Sequence, residues 1–354
     1  MAGVAVNPAH PPLAPWQRRI YDQAAASIDS GRLGHGLLFC GPRQLGKRAV
    51  AERLAQRLLC QARLADGQAC GQCRSCGLYL SRSQADPVEL RPDESLAHPF
   101  GRTGHPDVTF IGYEINDKAR PPKMRTEIVI EQIRAVSEKL SLTPQYGGAQ
   151  VVIVDPADAV NHAACNALLK TLEEPQPGRY LWLLSPEPAR LPATIRSRCQ
   201  KLEFRLPPRE EALAWLRQQG HADRPAAEAL AAAHGHPGLA DAWLRDGGLR
   251  LRREVDSDLD RLVRGEGAMA EIAQRWVADE HADLRLRFAA DHALATASGL
   301  TDPLRTRRLG TWFDAVNRAR SLLRTTVRSD LAVAELLLAW RDDVRDRHAG
   351  GNRG

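Results

Sequence analysis

The chain has 354 residues, 43% of them hydrophobic and 26% charged, with seven cysteines and a formal net charge of +6. That length exceeds one ordinary core and predicts two or three domains, while no apolar run approaches the roughly 18 residues of a membrane span. Of the 49 basic residues 43 are Arg and six are Lys, interspersed with Asp and Glu, so the charge reads as a solvated surface and not as a basic arm for nucleic acid. The opening MAGVAVNPAHPPLAPW has neither the basic start nor the long apolar stretch of a signal peptide, and a cytoplasmic protein is expected.

Residues 1–207 alternate short apolar runs with helical patterns, the signature of an α/β domain. LGHGLLFCG (33–41) reads as a buried strand entering a glycine loop, and a helix from Lys47 to Leu59 carries Val50, Leu54, Leu58 and Leu59 on one face. QVVIVD (150–155) and LWLLS (181–185) read as two further buried strands, and unbroken apolar strands suit a parallel sheet covered on both faces. Residues 81–125, rich in Pro, Gly and charge, read as an irregular excursion with one hairpin. DAVNHAACNALLKTLEEP (158–175) predicts a helix with Val160, Ala163, Ala164, Ala167, Leu168 and Leu172 on one face, stopped by Pro175. The composition turns Ala- and Arg-rich after Pro207–Pro208. Glycines at HGHPG (234–238) and DGG (246–248) mark off a small helical unit, and amphipathic helices run from Leu249 onward, the last carrying LAVAELLLAW (331–340).

Residues 41–47, GPRQLGK, fit the phosphate-cradling template G-x-x-x-x-G-K-[ST] at Gly41, Gly46 and Lys47, but the hydroxyl position that would hold Mg²⁺ is Arg48. The second half of such a site is a strand ending in a carboxylate, here Asp155. The residue after it, where a general base would activate water, is Pro156, and a missing base removes typically 10²–10⁴-fold. Asp158 reads as a solvated or helix-capping residue rather than a substitute. With two catalytic groups absent, the loop predicts phosphate-binding ancestry and no hydrolysis, with ATP binding doubtful.

Cys60, Cys70, Cys73 and Cys76 give C-x₉-C-x₂-C-x₂-C, a spacing that favours a metal over disulfides in a cytoplasmic chain. Four thiolates make a closed structural site for Zn²⁺. An iron–sulfur cluster is the rival, although the downstream Cys-Pro of ferredoxin motifs is lacking. Cys40, Cys165 and Cys199 read as buried thiols, Glu173 and Glu174 as salt-bridged or solvated. Arg198, in LPATIRSRCQ (191–200), sits at the domain edge, where an arginine is either structural or lent to a neighbour's phosphate.

Taken together, HGLLFCGPRQLGK, the four cysteines, HPD (105–107), IVIEQIR (128–134), QYGGAQVVIVDPAD, NHAACNALLKTLEEP and LPATIRSRC resemble the delta-prime family of bacterial DNA polymerase III clamp-loader subunits, over most of residues 30–205. The resemblance implies a RecA-like AAA+ P-loop module with a zinc insertion (1–207, cysteines 60–76), a helical lid (208–248) and an all-α collar (249–354). The collar would join ATPase subunits and the delta subunit in a five-membered ring that opens the sliding clamp and sets it on primed DNA. It implies a subunit that does not hydrolyse ATP and that donates Arg198 to the neighbouring ATPase site. Hydrolysing relatives carry a loop hydroxyl, a glutamate after the strand aspartate and a lid arginine; here these positions are Arg48, Pro156 and Gly238. The alternatives are an active ATPase subunit of the same loader and a zinc-dependent DNA-binding protein on a fossil nucleotide fold.

Overall fold

A computed structural model describes residues 11–86, 88–92, 95–116, 118–146, 148–298, 301–323 and 328–349, the side chains of the last helix through residue 342. Residues 1–10, on which the expectation of no leader rests, lie outside it. The chain divides into two compact units, Met1–Leu239 and Ala240–Gly354.

The first unit is built on β1 (Gly36–Cys40), β4 (Val108–Ile111), β7 (Gln150–Val154), β8 (Arg179–Ser185) and β9 (Gln200–Glu203), an all-parallel sheet in the order β4-β7-β8-β1-β9. Residues alternate between two cores, as the pleat requires. Leu37, Phe39, Val151, Ile153, Trp182 and Leu184 face α1 (Pro15–Asp29) and α2 (Lys47–Leu59). Leu38, Cys40, Val152, Val154, Leu181 and Leu183 face α4 (Ile130–Ser141), α5 (His162–Glu173) and α6 (Ala193–Arg198).

The three central strands are those expected. The two edges, β4 and β9, were not foreseen, because an edge strand needs no unbroken apolar run: β9 reads Gln-Lys-Leu-Glu and buries Leu202 alone. The excursion therefore contains a strand of the main sheet. It also holds two short antiparallel pairs where one was expected, β2 (Arg82–Ser83) with β3 (Arg102–Thr103) and β5 (Ile115–Asn116) with β6 (Lys123–Met124). Between α2 and β2 the short α3 (Arg74–Leu80) has Cys73 as its N-cap and Cys76 in its first turn.

α5 starts four residues later than read from sequence. Residues 157–159 form a 3₁₀ turn, and Asn161 caps the helix by accepting from Ala164 N at 3.0 Å. Ala163 is exposed, and Ala164, Cys165, Leu168 and Leu172 make the buried face.

Helices follow from Pro208: α7 (Arg209–Gln218), α8 (Asp223–Ala232) and α9 (Pro237–Arg245), the unit boundary falling within α9. The second unit continues with α10 (Gly248–Arg264), α11 (Met269–Trp276), α12 (Ala282–Ser298), α13 (Pro303–Leu322) and α14 (Ser329–Ala349). Three of its buried tryptophans satisfy their N–H groups within the chain. Trp312 donates to Leu336 O at 2.8 Å, Trp340 to Leu259 O at 3.2 Å and Trp276 to Asp258 Oδ2 at 2.9 Å. The apolar face of LAVAELLLAW is core, with Val333, Leu336, Leu337 and Trp340 buried.

Candidate functional site

The glycine loop leaves the carboxyl end of β1, and Asp155 follows the carboxyl end of β7, so the parallel sheet delivers both to one crevice edge. Gly46 closes the loop at φ 84°, a left-handed turn suited to glycine, and α2 begins at Lys47. Lys47 is buried, and its ammonium donates to Gly41 O and Pro42 O, both at 2.6 Å. Burial pushes this amine down to about 8, against the upward pull of Asp155 and Asp158. The lysine is thus spent on carbonyls of its own loop.

Arg48 occupies the hydroxyl position and turns inward. Its Nη1 donates to Asp155 Oδ2 at 3.2 Å, its Nε to Glu52, and the guanidinium lies 3.8 Å from the centroid of Phe110. Arg91, from the excursion, donates to the same Asp155 oxygen at 2.7 Å. Glu52 is fully buried and also accepts from Arg82 Nη1 at 2.9 Å.

Three guanidiniums therefore surround two carboxylates. His98 beside them adds no charge at neutral pH, since burial, then Arg48 and Arg102, push it down to about 4. Arg48 Nη2 and Arg82 Nε and Nη2 are buried without an acceptor among the described residues, so the cluster is short of negative charge. A dication about 4 Å from one guanidinium would meet roughly 8 kcal/mol of repulsion at an effective dielectric of about 20. Asp155 is where a Mg²⁺ ligand is expected, and its surroundings do not fit the ion.

Two other sequence readings change or acquire a reason here. Asp158 is neither solvated nor a cap: it is buried and accepts from Ser185 Oγ at 2.8 Å, tying the end of β8 to the 3₁₀ turn. Gly238 at the start of α9 lies so close to the loop that a Cβ there would fall 2.1 Å from Gln44 O, while His236 Nε2 sits 2.8 Å from Arg43 O. No side chain fits at residue 238 in this packing.

The four motif cysteines converge as their spacing predicts. All four Sγ atoms lie within 4.8 Å of one another, with Cys60–Cys70 at 3.6 Å and Cys60–Cys73 and Cys70–Cys76 at 4.0 Å. A tetrahedral ion with metal–sulfur bonds of about 2.3 Å sets sulfurs roughly 3.8 Å apart, so the set could hold one metal ion. A multi-iron cluster would spread them wider, over two or four irons. Backbone amides of Cys70, Cys73 and Cys76 point at the sulfurs of Cys60, Cys70 and Cys73 at 3.3, 3.3 and 3.4 Å, favouring thiolates.

Behind the cluster, Ser75 Oγ donates to Leu59 O at 2.7 Å and sits 2.9 Å from His105 Nε2. His105 Nδ1 accepts from Asp107 N at 3.1 Å, so Nε2 carries the proton and donates to Ser75. Asp107 in turn accepts from Gln145 N and Tyr146 N at 2.9 and 3.1 Å. The HPD stretch, quoted for its resemblance but given no role, braces the cysteine knuckle against the sheet.

Arg198 ends α6. It is partly exposed, with Nη2 2.7 Å from Glu173 Oε1 and Nη1 on Thr194 O at 3.0 Å. Two residues on, Gln200 pairs with Leu37 near the start of β1, whereas the glycine loop follows Cys40 at its end. Arg198 therefore lies at the opposite end of the parallel sheet from the loop of its own chain.

Sequence reasoning missed Glu52, Arg82, Arg91 and Ser75. Glu52 had a local signal, the i,i+4 spacing from Arg48 on α2. Arg82 and Arg91 reach the site through tertiary folding of an irregular segment, which no periodicity reports.

The family model described as DNA polymerase III, delta subunit matches residues 16–208. DNA polymerase III subunit delta' of Pseudomonas aeruginosa is 33% identical over 265 residues, covering 74% of this chain and 70% of that protein. The subunit delta' of Escherichia coli is 33% identical over 242 residues, covering 68% of this chain and 64% of that protein, slightly under two thirds of its length. DNA polymerase III subunit tau of Bacillus subtilis is 28% identical over 49% of this chain and 25% of its own. With more than half of its residues inside the family model, the chain belongs to the DNA polymerase III delta subunit family.

Proposed function

We propose that this chain is the delta-prime-type, non-hydrolysing subunit of a replicative clamp loader, and that it lends Arg198 to the nucleotide site of an adjacent ATPase subunit. The observation that carries the reading is the placing of Arg198. It is partly exposed at the sheet end away from its own loop and, among the described residues, is held by Glu173 and Thr194 O. Such an arginine serves a second chain more readily than its own. The loop's state points the same way, with Lys47 and Asp155 bound to groups of the same chain and Pro156 where a base would stand.

The proposed organisation is an AAA+ module over residues 1–207, a lid over 208–248 and a collar over 249–354. Zn²⁺ would be held by Cys60, Cys70, Cys73 and Cys76 as a structural ion, the role suited to four sulfur ligands with no open position. Partners are the other loader subunits, and through them the sliding clamp and primed DNA. No described helix is long and apolar enough to cross a membrane.

In the neighbour's site the guanidinium would meet charge developing on the transferring phosphoryl group, a contribution of about 10³–10⁵-fold in systems where it has been measured. The test is DNA-stimulated ATP hydrolysis by the reconstituted loader with this chain as wild type and as Arg198→Ala. A loss on that scale at the adjoining site, with assembly intact by sedimentation, is expected. An unchanged rate with assembly intact would overturn the donation and leave the subunit a holder of the ring.

A further inference from the structure

We infer that the excursion between α3 and β4 is a built-in plug of the phosphate-loop site: its Arg91, together with Arg48, occupies the carboxylate of Asp155 and so makes this chain refuse a magnesium-bound nucleotide. The inference rests on the proposed non-hydrolysing role but concerns a different property, binding rather than turnover.

Arg91 is held in place from several sides. Its backbone N donates to Ser95 O at 2.8 Å, Leu90 bridges Leu96, and Ala97 N donates to Glu89 O at 2.9 Å, so Glu89–Arg91 and Ser95–Ala97 pair antiparallel. Glu89 forms a fork with Arg102 on β3, and Gln84 Nε2 bonds His98 O at 2.8 Å. At the root of the excursion Arg82 binds Glu52, and Glu52 positions Arg48. The excursion therefore acts on Asp155 twice, directly through Arg91 and indirectly through Arg82, Glu52 and Arg48.

The two guanidiniums on one oxygen supply the positive charge that a metal would otherwise bring, and the acceptor-poor cluster leaves no compensation for more. Lys47, bonded to two loop carbonyls, must also leave them before it can reach a phosphate. Of the substitutions that mark this chain, Arg48 alone would have sufficed to remove a metal-holding hydroxyl. Arg91 goes further, because it neutralises the remaining metal ligand.

The test uses the full chain and a fluorescent ATP analogue titrated with Mg²⁺ and with EDTA, for wild type, Arg91→Ala, Arg48→Thr and the double variant. Each single variant leaves every buried carboxylate one guanidinium: Glu52 keeps Arg82, and Asp155 keeps Arg48 or Arg91. Wild type should bind no more tightly with Mg²⁺ than with EDTA. The double variant should gain binding that Mg²⁺ strengthens about tenfold or more, since metal and nucleotide then favour each other. Hydrolysis should stay at background, because Pro156 is untouched.

A double variant that melts and retains metal like wild type, yet stays blind to Mg²⁺, would overturn the plug. So would a wild-type chain already showing the same Mg²⁺-dependent binding, and that result would leave the Arg198 reading standing. Should the double variant fold poorly, Arg91→Ala is read instead: a smaller Mg²⁺-dependent gain is expected, and its absence in a folded protein sinks the inference.

Discussion

The cysteine cluster and the phosphate loop lie at opposite ends of α2 and are both written in the sequence as spacings, yet they end in different states. The cysteines turn four sulfurs toward one centre, within 4.8 Å of one another, with amides aimed at them. The loop keeps its glycines and its lysine, but Lys47 and Asp155 are turned to partners inside the chain. A short motif fixes local backbone, and in the knuckle the local backbone is nearly the whole site. At the loop the decisive groups, Arg82 and Arg91, arrive from a segment that no motif covers. The difference teaches that a spacing predicts where a ligand atom will be, and distant neighbours decide whether it is available.

Removing the metal gives the largest expected effect. Structural zinc in small modules contributes an apparent free energy on the order of 10 kcal/mol, and here the gain should be confined to the knuckle. Freshly purified protein should carry one zinc per chain by elemental analysis. Chelation should expose residues 60–80 to amide exchange while β7 and β8 stay protected. Protein free of both zinc and iron would break the comparison at its first term.

Glu52→Ala should come next. It leaves Arg48 and Arg82 buried with fewer counter-charges, and breaking a buried pair costs about 3–5 kcal/mol in stability by denaturant titration. A cost under about 1 kcal/mol would mean the arginines are solvated and the loop more open than described.

Lys47 offers a pH test of the same closure. Its folded-state value, about 8, lies below the ordinary 10.5, so the unfolded chain binds more protons between them and stability should rise with pH across that window. The gain relative to Lys47→Met should approach about 3 kcal/mol. A flat difference between the two proteins would show the amine to be hydrated.

Arg198→Ala should have the smallest effect on the isolated chain, below about 1 kcal/mol, because its ion pair with Glu173 is exposed. A larger loss would make Arg198 a structural residue and weaken the case for a partner's site.

How much could be read beforehand follows the same division. The three central strands were legible because burial on both faces favours a continuous apolar run, broken in β1 and β7 by Gln150 at the start of β7. The edge strands were not, since β4 and β9 each have one free side and β9 is polar. The cysteines and Lys47 were legible as spacings. Asp158 was misread because its partner, Ser185, lies 27 positions away across the sheet. The excursion read as irregular with one hairpin; it holds β2 to β6, an edge strand of the main sheet among them, and what it brings to the site is the placed charges of Arg82 and Arg91.

The close approach of Gly238 to Gln44 bears on how this loop can change over generations. A Cβ at that residue would fall 2.1 Å from a backbone oxygen, so even alanine requires the start of α9 to move first. An arginine therefore cannot be placed there by one substitution, whatever happens at Arg48 or Pro156. Introducing one would need the displacement of α9 before the new side chain, so an intermediate would carry the displacement alone. Residue 238 is consequently held as glycine by packing, whatever stands at Arg48 and Pro156, and change there should follow change in the backbone around it.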